Sequence, residues 1–276
     1  DPEVYWAAAQ SVMEALRHEA GAAADRIGAV GVTSQGETLI ALDARGRPVR
    51  PAIVWLDNRA AEEAGLIRDR FGRETIYRVT GQQDIAPCWP ACKILWLRRK
   101  EPESFRKTAH YLMVEDYLIY RLTGRMATDH ALNPSTLYYD LVRGEWWDEM
   151  LDFLGITRAQ LPELRVSGQV AGRVAKEAGW AAGLPVTVAP IDQVAATVGA
   201  GNRAPGMVTE TTGCALAICA TVDRPIYDPA QRIGLYRHAR PGLFVLMPWI
   251  PTAGMILRWF RDEWGGGLDY AALTEM

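Results

Sequence analysis

Val186-Thr187-Val188-Ala189-Pro190-Ile191-Asp192-Gln193-Val194-Ala195-Ala196-Thr197-Val198-Gly199-Ala200 is introduced by a Gly183-Leu184-Pro185 breaker. Its first four residues read as a buried strand and residues 194–200 as a closely packing helix of small side chains. Asp192 falls between them, at the C-terminal end of the strand, where open α/β sheets hold ligands. Asp is equally at home as a helix N-cap, so this segment alone leaves both roles open.

Working upstream, Asp1 suits an N-cap and Pro2 the first helical position. Tyr5, Ala8, Ala9, Val12 and Leu16 then recur at helical spacing as far as Gly21, predicting an amphipathic helix with that face inward. Residues 27–32 and 39–42 read as two close-spaced antiparallel strands, and Asp43-Ala44-Arg45-Gly46 as a turn. Helices are expected from Asn58 to about Arg70, over 92–99 and over 114–122, the last closed by Gly124. Tyr138-Tyr139-Asp140 and Gly144-Glu145-Trp146-Trp147 read as a strand, a turn and a new helix. Downstream of Pro190, residues 208–212, 215–222 and 243–247 are strand-like with Gly-rich turns, and 252–264 is helical. An α/β protein with mixed sheets, changing domain near residue 200, fits this order.

The totals exclude several classes. The chain has 276 residues, room for one large or two ordinary domains, with 49% hydrophobic and 23% charged residues. A net charge of -3 with dispersed Lys and Arg argues against a nucleic-acid partner. No apolar run approaches the roughly 20 residues that span a bilayer, so no membrane partner is expected. Cys88, Cys92, Cys214 and Cys219 form no CxxC pair and fit a reducing, cytoplasmic setting. The absence of an initiator Met before Asp1-Pro2-Glu3, and a last residue inside a helix, lead us to expect a piece of a longer protein.

Two further clusters accompany Asp192. Thr209-Glu210-Thr211-Thr212-Gly213-Cys214-Ala215 lies between strands, and such a Thr/Gly turn can direct N–H groups and hydroxyls at phosphate, or be an ordinary hairpin. No GxxxxGK[ST] loop is present. Ser34-Gln35-Gly36-Glu37-Thr38, with Val54-Trp55-Leu56-Asp57-Asn58-Arg59, offers a carboxylate and an indole to a hydroxyl-rich ligand, or forms a solvated loop over one packed Trp.

In this order the clusters resemble the FGGY family of carbohydrate kinases, which includes glycerol kinase and xylulokinase. Ser34-Gln35-Gly36-Glu37-Thr38 resembles the Asn-Gln-Arg-Glu-Thr of glycerol kinases, and residues 52–59 the family's Ala-Ile-x-Trp-x-Asp-x-Arg. Trp89-Pro90-Ala91-Cys92-Lys93-Ile94-Leu95-Trp96-Leu97 is similar to the first family signature. Asp116-Tyr117-Leu118-Ile119-Tyr120-Arg121-Leu122-Thr123-Gly124 matches a further segment almost letter for letter. Asp192-Gln193 falls on the catalytic Asp-Gln, Thr212-Gly213-Cys214 on the phosphate loop, and residues 253–263 on an Ala-Gly-x-x-x-x-Trp-x-Arg-Asp helix.

The resemblance implies an actin/Hsp70-like (ribonuclease H-like) two-domain fold. Residues 1–200 would be most of sugar-binding domain I and 201–276 the start of ATP-binding domain II. It implies ATP and Mg²⁺ as cofactors and a small sugar or polyol as partner, with a homodimer one assembly open to it. Asp192 would be the general base. Gly36, Glu37, Trp55 and Gln193 would line the substrate, and Thr211, Thr212, Gly213 and Gly254 the nucleotide.

Departures from the pattern matter. Gly36 replaces the Arg of glycerol kinases, and the Met-His pair of xylulokinases is missing, so a longer polyol or ketose in an enlarged pocket is expected. Cys88, Thr211 and Arg258 also depart from the usual residues. The family's Asp-x-Gly-Thr hairpin and adenosine motif would lie before Asp1 and after Met276, so this chain alone is expected to bind ATP poorly and not turn over. The rival expectation is a non-catalytic sugar sensor on the same fold. A nicotinamide dehydrogenase would need a third glycine in Gly28-Ala29-Val30-Gly31-Val32. A metal hydrolase would need clustered His, whereas His18, His110, His130 and His238 are scattered in sequence.

Overall fold

A computed structural model describes residues 1–179, 182–213, 216–250 and 252–275. The chain opens with α1 (Pro2–Ala20), then β1 (Val30–Val32), β2 (Ile40–Leu42), α2 (Ala61–Phe71), α3 (Arg73–Thr80), α4 (Pro90–Lys100) and α5 (Pro102–Lys107). Next come β3 (His110–Leu112), α6 (Val114–Thr123), β4 (Ala127–Asp129), β5 (Tyr139–Asp140), β6 (Glu145–Trp146) and α7 (Asp148–Leu154). The middle of the chain supplies β7 (Glu163–Arg165), β8 (Val170–Arg173), β9 (Pro185–Val188) and α8 (Asp192–Gly199). The remainder is β10 (Val208–Thr212), β11 (Leu216–Val222), β12 (Gly234–Arg237), β13 (Phe244–Met247), β14 (Trp249–Ile250), α9 (Gly254–Trp264) and α10 (Tyr270–Thr274). Among the described residues no helix is long and apolar enough to cross a membrane.

Two sheets organise the site. The first has the order β1-β9-β8, with β1 and β9 parallel (Val30 opposite Val186, Val32 opposite Val188) and β8 antiparallel to β9. Val186 and Val188 are buried, joining Val32, Leu112, Tyr117, Ile119 and Leu122 in one core cluster. The second sheet is antiparallel, β10-β11-β13-β12 with β14 also on β11. Ile191 and Val194 share a core cluster with Ala217, Cys219, Val245 and Met247, so α8 packs against this second sheet. A third cluster brings together apolar residues from α2, α3, α4 and α7.

Two expectations need correction. The strands at residues 30–32 and 40–42 are not an antiparallel pair: β1 pairs with β9 in parallel, and β2 pairs with β3. The γ-turn among the seven residues between them does not join them as a hairpin, and local alternation cannot reveal a partner more than 150 positions away. The inward face of α1 also differs. Pro2 and Trp6 are buried, with Tyr5 and Met13 packed against the core, while Val12 and Leu16 are 68% and 52% exposed. A stripe at positions 2, 6 and 13 has helical spacing too, and burying one indole outweighs burying several small side chains. The cap itself is as expected, Asp1 Oδ1 accepting from Glu3 N at 3.0 Å. Glu3 then pairs with Arg121 at 2.6 Å and accepts from the Tyr117 hydroxyl at 2.8 Å, docking α1 on α6.

Gly81 ties the end of α3 to β12. It closes α3 at φ 79° and its carbonyl accepts from Leu235 N at 2.8 Å. A Cβ at this position would lie 2.3 Å from the Leu235 carbonyl oxygen, a backbone atom that cannot swing aside. Gly81→Ala therefore combines left-handed strain with overpacking, and is expected to cost about 2–3 kcal/mol. Urea unfolding should show a lowered midpoint with an unchanged slope; an unchanged midpoint would mean that the strand shifts freely.

Candidate active site

The loops that follow the parallel strands β1 and β9 are stitched together at their shared end. Thr33 Oγ1 donates to Pro190 O at 2.7 Å, and Asp192 N donates to Ser34 O at 3.1 Å. Glu115, at the start of α6, locks both loops: its N–H donates to Ser34 Oγ at 3.1 Å and its Oε1 accepts from Ala189 N at 3.0 Å. Asp192 is thereby fixed beside the loop carrying Glu37, at the carboxyl edge of parallel strands.

Asp192 is the first residue of α8, not its cap, which is Ile191 without a side-chain bond. Among the described residues its Oδ1 accepts only from Gln193 N, at 2.8 Å. Burial raises the Asp192 carboxyl above the ordinary Asp range, opposed by that one bond. The Gln193 Oε1 is buried and without a protein partner among the described residues.

Glu37 has φ 60°, and Thr38 N donates across it to Gly36 O at 2.7 Å, forming a γ-turn with positive φ at its centre. Burial pushes the Glu37 carboxyl up to about 7, against the Ser135 hydroxyl and the Lys93 ammonium, and the Asp192 charge raises it further. Thr38 Oγ1 accepts from Trp55 N at 3.1 Å, bringing the half-buried indole residue to the same loop. Gly36 is buried, and a Cβ there would lie 2.9 Å from Ile191 Cδ1 and 3.2 Å from Ser135 Oγ. The space expected to enlarge the pocket is therefore taken up by Ile191.

The nucleotide candidates form a second group. Thr211 and Thr212 end β10, with Thr212 and Gly213 exposed. Gly254, the first residue of α9, donates its N–H to Gly213 O at 2.9 Å. Thr209 Oγ1 donates to Thr197 Oγ1 at 3.4 Å, so β10 lies along α8. Thr211 is opposite Ala217, which belongs to the same core cluster as Ile191 and Val194. Cys214 of the same motif lies outside the described residues.

Sequence reasoning passed over three residues that hold this site, Thr33, Glu115 and Ser135, and quoted Ser34 in its motif without giving it a role. Thr33 adjoins the quoted motif and could have been suspected from its place after a strand. Nothing local marks Ser135, which lies in a 3₁₀ turn nearly a hundred residues away and whose hydroxyl favours the ionised Glu37.

Residues 1–199 match the FGGY family of carbohydrate kinases, N-terminal domain. The chain is 30% identical over 262 residues to a xylulose kinase of Escherichia coli (strain K12), covering 94% of this chain and 53% of that protein. It is 33% identical over 276 residues to a glycerol kinase of Methylobacterium nodulans, covering 96% and 54%. The crystal structure of xylulose kinase from Rhodospirillum rubrum superposes on all of this chain with TM-score 0.92 at 28% identity, over 57% of its own length. The chain thus spans about half the length of the relatives it matches, and has the actin-like sugar-kinase fold. With its Asp-Gln, Glu-Thr and Thr-Gly motifs in family order on that fold, this chain belongs to the FGGY family of carbohydrate kinases.

Proposed function

We propose that the protein containing this chain transfers a phosphoryl group from ATP to a hydroxyl of a small sugar or polyol (a ketopentose, glycerol or a longer polyol), with Asp192 as general base. The observation that carries this reading is the Asp192 N–H on Ser34 O, which anchors a carboxylate of raised basicity beside the Glu37 turn. Residues 1–200 would form the sugar domain and 201–276 the start of the nucleotide domain.

In this reading Glu37 and Gln193 accept hydrogen bonds from substrate hydroxyls and Trp55 lies against the carbon skeleton. Asp192 takes the proton of the attacking hydroxyl as the oxygen approaches phosphorus. Thr211, Thr212 and Gly213, with Gly254 held against them, offer N–H groups and hydroxyls to the phosphates. Phosphoryl transfer depends mainly on positioning and charge stabilisation, and Mg²⁺ bound to the phosphates supplies part of the latter. Among the described residues no group of three or more His, Cys, Asp or Glu is placed to hold a metal ion. Mg²⁺ would be held on the nucleotide phosphates.

The test is a phosphorylation screen of the full natural chain against glycerol, erythritol and the pentuloses, with ADP release as readout. Sugar binding without ADP release would favour the sensor reading. The pH profile makes a further prediction. The ionised Glu37 is the form that accepts two hydroxyl bonds, and its carboxyl is raised to about 7. Sugar kcat/KM should be full above that value and fall as pH drops through it, by about tenfold per unit once well below. Asp192, also raised, limits the rate in the same direction. An acid limb confined to pH values near those of ordinary carboxylates would contradict the raised Glu37 carboxyl.

A further inference from the structure

Lys93 lies in α4 among buried Pro90, Ala91, Cys92, Ile94 and Leu95, and is itself 0% exposed. A lysine is almost never fully buried without a partner. Its Nζ donates to two main-chain carbonyls, Glu37 O at 2.7 Å and Val54 O at 2.9 Å. Those carbonyls belong to the two segments that meet at the candidate sugar site. One is the centre of the γ-turn; the other immediately precedes Trp55, whose N–H is held by Thr38 Oγ1.

A non-glycine residue at φ 60° in a γ-turn is strained, and such a conformation persists only where its surroundings over-determine it. The Lys93 ammonium grips the carbonyl of that residue itself, so it fixes the peptide plane that sets the direction of the Glu37 side chain. A hydrogen bond from a charged donor is stronger than a neutral one, and this one is shielded from water.

We propose that Lys93 is a positioning residue of the sugar site: its buried ammonium bolts the Glu37 turn to the Val54–Trp55 segment, aiming the carboxylate at substrate hydroxyls with the indole beside it. This rests on reading Glu37 and Trp55 as sugar ligands. Lys93 touches neither sugar nor phosphate, so its effect falls on sugar affinity and not on nucleotide affinity. Its charge also opposes protonation of Glu37, alongside the Ser135 hydroxyl and against Asp192. Lys93 in turn feels Cys88, Glu37, Asp57 and Cys92, while burial lowers it to about 8.

The test uses the full natural chain carrying Lys93→Met, which fills the space without a donor, and Lys93→Gln, which keeps one neutral donor. Lys93→Met should raise sugar KM by at least about tenfold. Its kcat should stay within about threefold and ATP KM within about twofold of wild type. The acid limb of sugar kcat/KM should move to higher pH, because the charge that keeps Glu37 ionised is gone. Lys93→Gln should fall between the two. Unchanged sugar KM in folded Lys93→Met overturns the proposal. So does an equal loss for sugar and ATP, or failure of both variants to fold, since either assigns Lys93 to stability alone. A wild-type chain inactive on every sugar, or a fully active Asp192→Asn control, would instead remove the sugar-kinase reading and this inference with it.

Discussion

Asp192→Asn should leave sugar binding nearly intact and reduce kcat by at least about 10²–10⁴-fold, the usual contribution of a positioned general base. Asn preserves the shape and can still accept from Gln193 N as Asp192 does at 2.8 Å. It has no basic lone pair able to accept the proton of the attacking hydroxyl. The loss should therefore be confined to turnover, the signature of an interaction made only in the transition state. Two measurements decide it: sugar KM, or protection against thermal unfolding by sugar, and single-turnover phosphorylation. Retained turnover would return Asp192 to the role of a helix-end residue and leave the proposed reaction without its base.

Glu37→Gln should lower sugar kcat/KM by about 10²-fold, because hydrogen bonds to a charged acceptor contribute about 1.5–3 kcal/mol each. The amide keeps the size of the side chain, and Gln meets the same φ 60° strain as Glu, so the substitution isolates charge from backbone geometry. It also turns an NH₂ donor toward hydroxyls that need acceptors. Most of the loss should appear in KM, in contrast to Asp192→Asn, and the acid limb near pH 7 should weaken, leaving the dependence due to Asp192. A kcat/KM within about twofold of wild type would exclude Glu37 from the sugar site.

Much of this was legible in the chain. The strand before Asp192, the αL glycine closing α6 and the Asp1-Pro2 helix start follow from local steric rules, and all are present. The short β12 and β14 were missed because strands of four and two residues carry little periodic signal. Lys93 gave a usable hint that went unread: a cation inside the apolar Ala91-Cys92-Lys93-Ile94-Leu95 run is either exposed or deeply engaged. The inward face of α1 was misread because two stripes on the same helix are both apolar, and only the surface of α6 selects between them.

By itself the sequence determined the α/β class, the order of the motifs and the residues proposed here as base and ligands. The class and the motif order depend on short-range spacing, which is set by the covalent chain, and the proposed roles follow from the family resemblance of those motifs. Tertiary structure alone decided that β1 lies beside β9, that Ser34 holds Asp192, that Ile191 fills the space at Gly36 and that Lys93 clamps a strained Glu37. Each joins segments remote in sequence, and such pairings are set by which buried surfaces and polar groups satisfy one another after collapse.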